Sequence, residues 1–96
     1  MSFIVKFTPE AIETYDSLVT QLMQRWGDNF VDKFSKKISE ALDKIAISPY
    51  IYPLYSESTD IRKCVLHKNC SMLYRIIDSE VLIICFWDNR QDPIFL

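Results

Sequence analysis

Glycine is almost missing: Gly27 is the single one in 96 residues. A phosphate-cradling loop or a dinucleotide fingerprint needs several glycines within a short run, so neither can be written here. Histidine is equally scarce. With His67 alone and no Gly-x-Ser-x-Gly, a hydrolase triad has little support. An excess of basic charge is also absent. Eleven Lys and Arg face thirteen Asp and Glu, a net charge of −2, so no whole-molecule positive field draws in nucleic acid. No apolar run is long enough to span a bilayer as a helix, and no membrane association is expected. The start, MSFIVKFTPE, lacks the basic residues, apolar stretch and small-residue cleavage site of a secretory signal, so a cytoplasmic location is expected. Three cysteines, Cys64, Cys70 and Cys85, are an odd number, and a reducing compartment keeps them as thiols. Together with His67 they have the residue types of a three-cysteine, one-histidine zinc site. Zinc knuckles are tight, however, and these cysteines lie in strand-like runs, so they read as small buried hydrophobes with no metal and no cofactor.

What is present is apolar patterning. Nearly half of the residues are hydrophobic, enough for one ordered domain, residues 1–96, with a single core. Phe3 to Phe7 reads as a short strand. Thr8 is a good helix cap, Pro9 suits the first helical position, and Glu10 complements the helix dipole. Ile12, Tyr15, Val19, Leu22, Met23 and Trp26 then recur at three and four residues, the stripe of an amphipathic helix that Gly27 ends in a left-handed conformation. Asp28 or Asn29 caps a second helix with the stripe Phe30, Phe34, Ile38, Ala41, Leu42 and Ile45. Its opposite face, from Asp32 to Lys44, reads as solvated. Ser48-Pro49 ends it, and the two helices are expected to form an antiparallel hairpin.

Residues 49–60, PYIYPLYSESTD, read as a loop. Its tyrosines either pin it to the core or form an exposed aromatic edge; a side chain that buries its ring and keeps its hydroxyl wet favours the first. Three strand-like runs follow, Ile61–Leu66, Ser71–Ile77 and Val81–Trp87, joined by short turns into an antiparallel meander. The expectation is an α+β domain with the order β-α-α-β-β-β and both helices on one face of an antiparallel sheet. Simple alternation sets Met72, Tyr74 and Ile76 against Leu73, Arg75 and Ile77, and sets Val81, Ile83, Cys85 and Trp87 against Leu82, Ile84 and Phe86. Both faces are apolar, whereas a one-sided sheet alternates apolar with polar. Two helices cover one face. Either Ile94-Phe95-Leu96 folds back on the other, or a protein partner lies across it, or the two share it.

The start FIVKFTPEAIETYDSL, the helix-ending Pro49, the strands IRKCVL and MLYRIID, and the ending IICFWDNRQDP together resemble the RelE/ParE superfamily of toxins from bacterial type II toxin–antitoxin modules. The resemblance spans essentially the whole chain; its most specific pieces are Leu73-Tyr74-Arg75 and an arginine just after the last strand, Arg90. It implies a growth-inhibiting toxin, of the kind associated with plasmid stabilisation, neutralised by a cognate antitoxin protein, with DNA met only indirectly through that antitoxin. It also implies one of two modes. ParE-like members bind DNA gyrase. RelE-like members cut messenger RNA in the ribosome and are enzymes.

The nuclease mode makes chemical demands: a base, an acid, and a cation beside the phosphate. Arg62, His67, Arg75 and Arg90 are the candidate catalytic set, with Lys63, Lys68, Asp88 and Asp92 as further charged groups. Ser71 stands where that branch usually carries arginine, no tyrosine follows Arg90, and the net acidity opposes an RNA-rich site. The favoured expectation is therefore a non-enzymatic, ParE-like binding toxin, with Arg62, Lys63, Arg75, Trp87, Asp88 and Arg90 as candidate contacts to target or antitoxin. The polar burst after the last strand allows two readings of Arg90: a guanidinium aimed at a partner's carboxylate or phosphate, or one paired internally with Asp88 and Asp92. The remaining alternative is a degenerate member that binds an antitoxin and harms nothing.

Overall fold

A computed structural model of the chain describes residues 2–68 and 70–88, for Asp88 the backbone alone. Six elements follow in order: β1 (Ile4–Phe7), α1 (Pro9–Trp26), α2 (Asp28–Ile47), β2 (Arg62–His67), β3 (Cys70–Ile77) and β4 (Glu80–Asp88). This is the expected α+β order, with each strand boundary within one residue of the pattern-based one.

Local chemistry sets the helix ends. The Thr8 hydroxyl accepts the Ala11 N–H at 3.0 Å, and Pro9 opens α1, where a missing N–H costs nothing. Gly27 closes it with φ 85° and an N–H to the Met23 carbonyl of 3.0 Å. The capping of α2 differs from expectation. Gly27 itself is the N-cap, with no side-chain hydrogen bond, and Asp28 lies inside the first turn, where its charge meets the helix dipole. As the one residue between the helices, Gly27 serves both ends.

The sheet order is β1-β4-β3-β2. The meander β2-β3-β4 is antiparallel, but β1 pairs parallel to β4, so the sheet is mixed rather than purely antiparallel. The helical hairpin is the crossover that carries the chain from β1 and lets β4 lie alongside it in the same direction. The β3–β4 turn is tight, with Asp78 at φ 55°, a conformation that Asp tolerates better than most residues.

Both helices cover one face. Ala11, Phe34, Ile38, Ala41 and Ile45 pack on Cys64, Leu66, Met72, Tyr74, Val81, Ile83 and Phe86. Burying each large side chain contributes roughly 1.5–3 kcal/mol. Two expectations about facing are corrected. In α1 the stripe that meets the core is Ala11, Tyr15, Leu18 and Leu22, while Ile12, Met23 and Trp26 are exposed. The small Ala11 is fully buried and lets the helix backbone close on the sheet. In β4 simple alternation fails. The register shifts between Leu73 and Tyr74, which pair with Cys85 and Ile83 and leave Ile84 as an extra residue. This bulge puts Ile84 and Cys85 with the far-face cluster, returns Phe86 to the core and sends Trp87 to the far face.

Candidate functional site

The face of the sheet turned away from the helices has its own small core, Ile61, Leu73 and Cys85, with Tyr55, Ile84 and Trp87 packed around it. The loop after α2 covers part of it. Tyr55 N–H donates to the Ile61 carbonyl at 2.7 Å and Lys63 N–H to the Pro53 carbonyl at 3.0 Å, which adds a short bridge, Leu54 with Arg62, to the edge of β2. Both readings of the loop hold in part. Tyr52 and Tyr55 are half-buried, whereas Tyr50, Ile51 and Leu54 are exposed.

Trp87 is the centre of what the described residues leave uncovered on this face, called the open face below. Its ring meets Tyr55 edge-on at 5.1 Å, and the Lys63 ammonium lies 5.1 Å from its centroid, within range of a cation–π contact. Ser71, paired with Trp87 across the β3–β4 ladder, is fully buried beside it. Further along, the Arg75 Nη2 donates to the Asp60 Oδ2 at 3.0 Å. That hydrogen bond holds the Asp60 carboxyl below the usual carboxylate range. The buried Arg75 Nε has no hydrogen-bond partner among the described residues. At the β1 side Lys6 pairs with Glu80 at 2.7 Å.

The sequence-derived candidates therefore separate. Lys63, Arg75 and Trp87 share the open face. Arg62 does not join them: its Nη1 donates to the Tyr52 carbonyl at 2.7 Å and the Tyr50 carbonyl at 3.4 Å, and its guanidinium lies over the Tyr50 ring. His67 lies edge-on to Phe30 of α2, 5.5 Å between centroids, at the far end of β2 from Arg62. The backbone of Asp88 ends β4 opposite Cys70. Arg90 and Asp92, with Ile94, Phe95 and Leu96, lie outside the described residues. Cys64 and Cys70 belong to the helix-covered core and Cys85 to the far cluster. Burial pushes the Cys85 thiol up to about 12, with Glu10 adding to the shift. Burial also raises Cys64, against smaller opposing effects from the Tyr52 hydroxyl and Lys44. Both stay protonated and poorly nucleophilic at neutral pH. Among the described residues no group of three His, Cys, Asp or Glu is placed to hold a metal ion, and no helix is long and apolar enough to cross a membrane.

A second feature escaped the sequence reading. An apolar groove of about 350 Å³ opens between α1, α2 and the end of β1, lined by residues that include Phe7, Ala11, Ile12, Tyr15 and Phe86. Helical periodicity assigns Ile12 to the core, yet it is exposed and lines this groove.

A β-α-α-β-β-β chain with both helices on one face of the sheet is the plan that the resemblance to the RelE/ParE superfamily of type II toxins implies. The family model for the ParE toxin of the type II toxin–antitoxin system parDE matches residues 5–93, and the chain belongs to that family. Among solved structures, a chain of the chromosomal ParDE TA system from P. aeruginosa superposes with a TM-score of 0.74 at 18% identity, over 91% of this chain and 96% of that one. YoeB from Staphylococcus aureus, a dimer, gives 0.63 at 18% identity, over 91% and 97%. A chain of the toxin–antitoxin complex RelBE2 from Mycobacterium tuberculosis gives 0.62 at 19%, over 93% and 100%. No curated protein matches the sequence.

Proposed function

We propose that this toxin arrests growth by binding a protein target, DNA gyrase, and that a cognate antitoxin neutralises it. The observation that carries the binding reading is the separation of the candidate nuclease groups. Cutting RNA needs an acid, a base and a cation converging on one phosphate. Among the described candidates His67 lies against Phe30 and Arg62 is held by two loop carbonyls, apart from Lys63 and Arg75, which share the far face with Trp87 and Tyr55. Trp and Tyr are among the side chains enriched in protein-binding hot spots. The match to the ParE model fits the gyrase-binding branch that the resemblance implies. Solved toxin–antitoxin complexes of this fold, such as RelBE2, support an antitoxin partner. The apolar groove around Ile12 and Phe86 offers a seat for apolar side chains of that partner.

The test is to induce expression in bacteria and follow thymidine and amino-acid incorporation over the first minutes. DNA synthesis is expected to fall first. An earlier fall in protein synthesis would overturn the binding reading in favour of a ribosome-dependent endoribonuclease, with Lys63, Arg75 and Arg90 as the cations to examine. No arrest of either would indicate a member that only binds an antitoxin.

A further inference from the structure

β1 ends at Phe7, opposite Ile83, but β4 runs on to Asp88. Beyond Ile83 the β1-side edge of β4 has no strand neighbour among the described residues, and the first turns of α1 take that place. The Thr8 hydroxyl donates to the Ile84 carbonyl at 2.8 Å while accepting the Ala11 N–H. The Phe86 N–H donates to the Thr14 hydroxyl oxygen at 3.0 Å. The Thr14 proton is directed back into its own helix, toward the Glu10 carbonyl at 2.8 Å or the Ala11 carbonyl at 3.1 Å. A hydroxyl carries one proton and two lone pairs, so each threonine serves helix and strand at once. Between them they satisfy one carbonyl and one amide of β4, at the bulged residue Ile84 and at Phe86 just beyond its paired neighbour Cys85.

The bulge needs such a constraint. Val81 to Trp87 is apolar throughout, so the hydrophobic pattern does not choose between a regular strand, which would turn Cys85 and Trp87 to the helices, and the bulged one, which turns Phe86 there. Register is weakly specified when both faces are apolar. We propose that Thr8 and Thr14 are positioning residues for the open face. By capping β4 on both sides of Cys85 they hold the bulge, and the bulge sends Phe86 under Tyr15, 5.3 Å between rings, and Trp87 beside Tyr55 and Lys63. The assignment rests on the reading that the open face is the surface that meets the target.

The test uses a Trp26→Phe background, in which Trp87 is the remaining tryptophan of two. Thr14→Val keeps the shape and removes the acceptor; Thr14→Ser keeps the hydroxyl. In folded Thr14→Val the Trp87 emission is expected to move to the blue with reduced iodide quenching, and growth arrest to be lost. Thr14→Ser is expected to match the parent in all three. Unchanged emission and quenching in folded Thr14→Val would overturn the proposal. Should Thr14→Val not fold, hydrogen exchange of the parent decides: a Phe86 amide protected like the central β4 amides supports the cap, and one exchanging as freely as an exposed edge amide overturns it. A shifted emission with growth arrest intact would support the cap and overturn the open face as the working surface.

Discussion

Tyr74 shows how one polar atom ties a loop to a core. The side chain is fully buried on the helix-covered face, and its hydroxyl donates to the Pro49 carbonyl at 2.6 Å, just after α2 ends. Removing the donor leaves that carbonyl without this partner in a dry site. Tyr74→Phe should therefore cost about 1–3 kcal/mol, read as a lower urea midpoint at unchanged slope. Trp87 predicts the opposite combination. It is half-buried and contacts Tyr55 and Lys63 at the surface; surface cation–π and aromatic pairs are each worth only about 0.5–1.5 kcal/mol. Trp87→Ala should stay folded and lose growth arrest, with thermal unfolding and a colony assay as the two readouts. Arg90→Ala should behave in the same way if its guanidinium meets the target.

At the scale of elements, Gly27 carries the helical hairpin. Its φ of 85° combines with ψ of −176°, which is not the left-handed helical well that Asn also visits but a region populated essentially by glycine. A Cβ placed there meets nothing within 4 Å among the described residues, so the cost of a side chain is backbone strain alone. Gly27→Ala should destabilise by about 1–3 kcal/mol, and Gly27→Asn should be no better. Denaturant curves of the two variants check this; a clear advantage for Asn would mean that the junction relaxes into the left-handed well. The strands teach a related lesson. Their existence, length and order were legible in the β-branched and aromatic runs. The parallel pairing of β1, the bulge at Ile84 and the far-face position of Trp87 were not, because each depends on what lies beside the strand rather than on the residues within it.

For the molecule as a whole, the buried phenols and thiols set a pH limit. Burial, aided by the neighbouring Cys64, pushes Tyr52 up to about 12; burial likewise takes Tyr74 and Cys85 to about 12. All three groups are neutral when protonated and ionise more readily in the unfolded chain, near 10 for tyrosine and 9 for cysteine. The unfolded state thus sheds protons first as pH rises. Their stabilising contribution is complete below about pH 8.5 and declines progressively through the range up to about 12. Chemical denaturation at fixed pH steps should show a flat region near neutrality and a falling midpoint above it, with Tyr74→Phe showing a shallower alkaline fall. The opposite shift, in Asp60, belongs to an exposed carboxylate and adds little at acid pH.

Local sequence chemistry by itself determined the element order, the hairpin at Gly27, the cap at Thr8, the α2 stripe and a sheet apolar on both faces. Each follows from spacing, capping or turn residues a few positions apart, and the chain-wide resemblance to RelE/ParE toxins rests on the same runs. Only the tertiary structure decided which candidate residues share a surface. Arg62 and Lys63 are neighbours in sequence, yet loop carbonyls hold the first and Trp87 meets the second. Strand alternation separates adjacent side chains, and the bulge reverses that alternation once, at a place fixed by hydroxyls more than 70 residues away in the chain. Contacts at that separation leave no periodic trace in the sequence, so which residues share the far face follows from the fold alone.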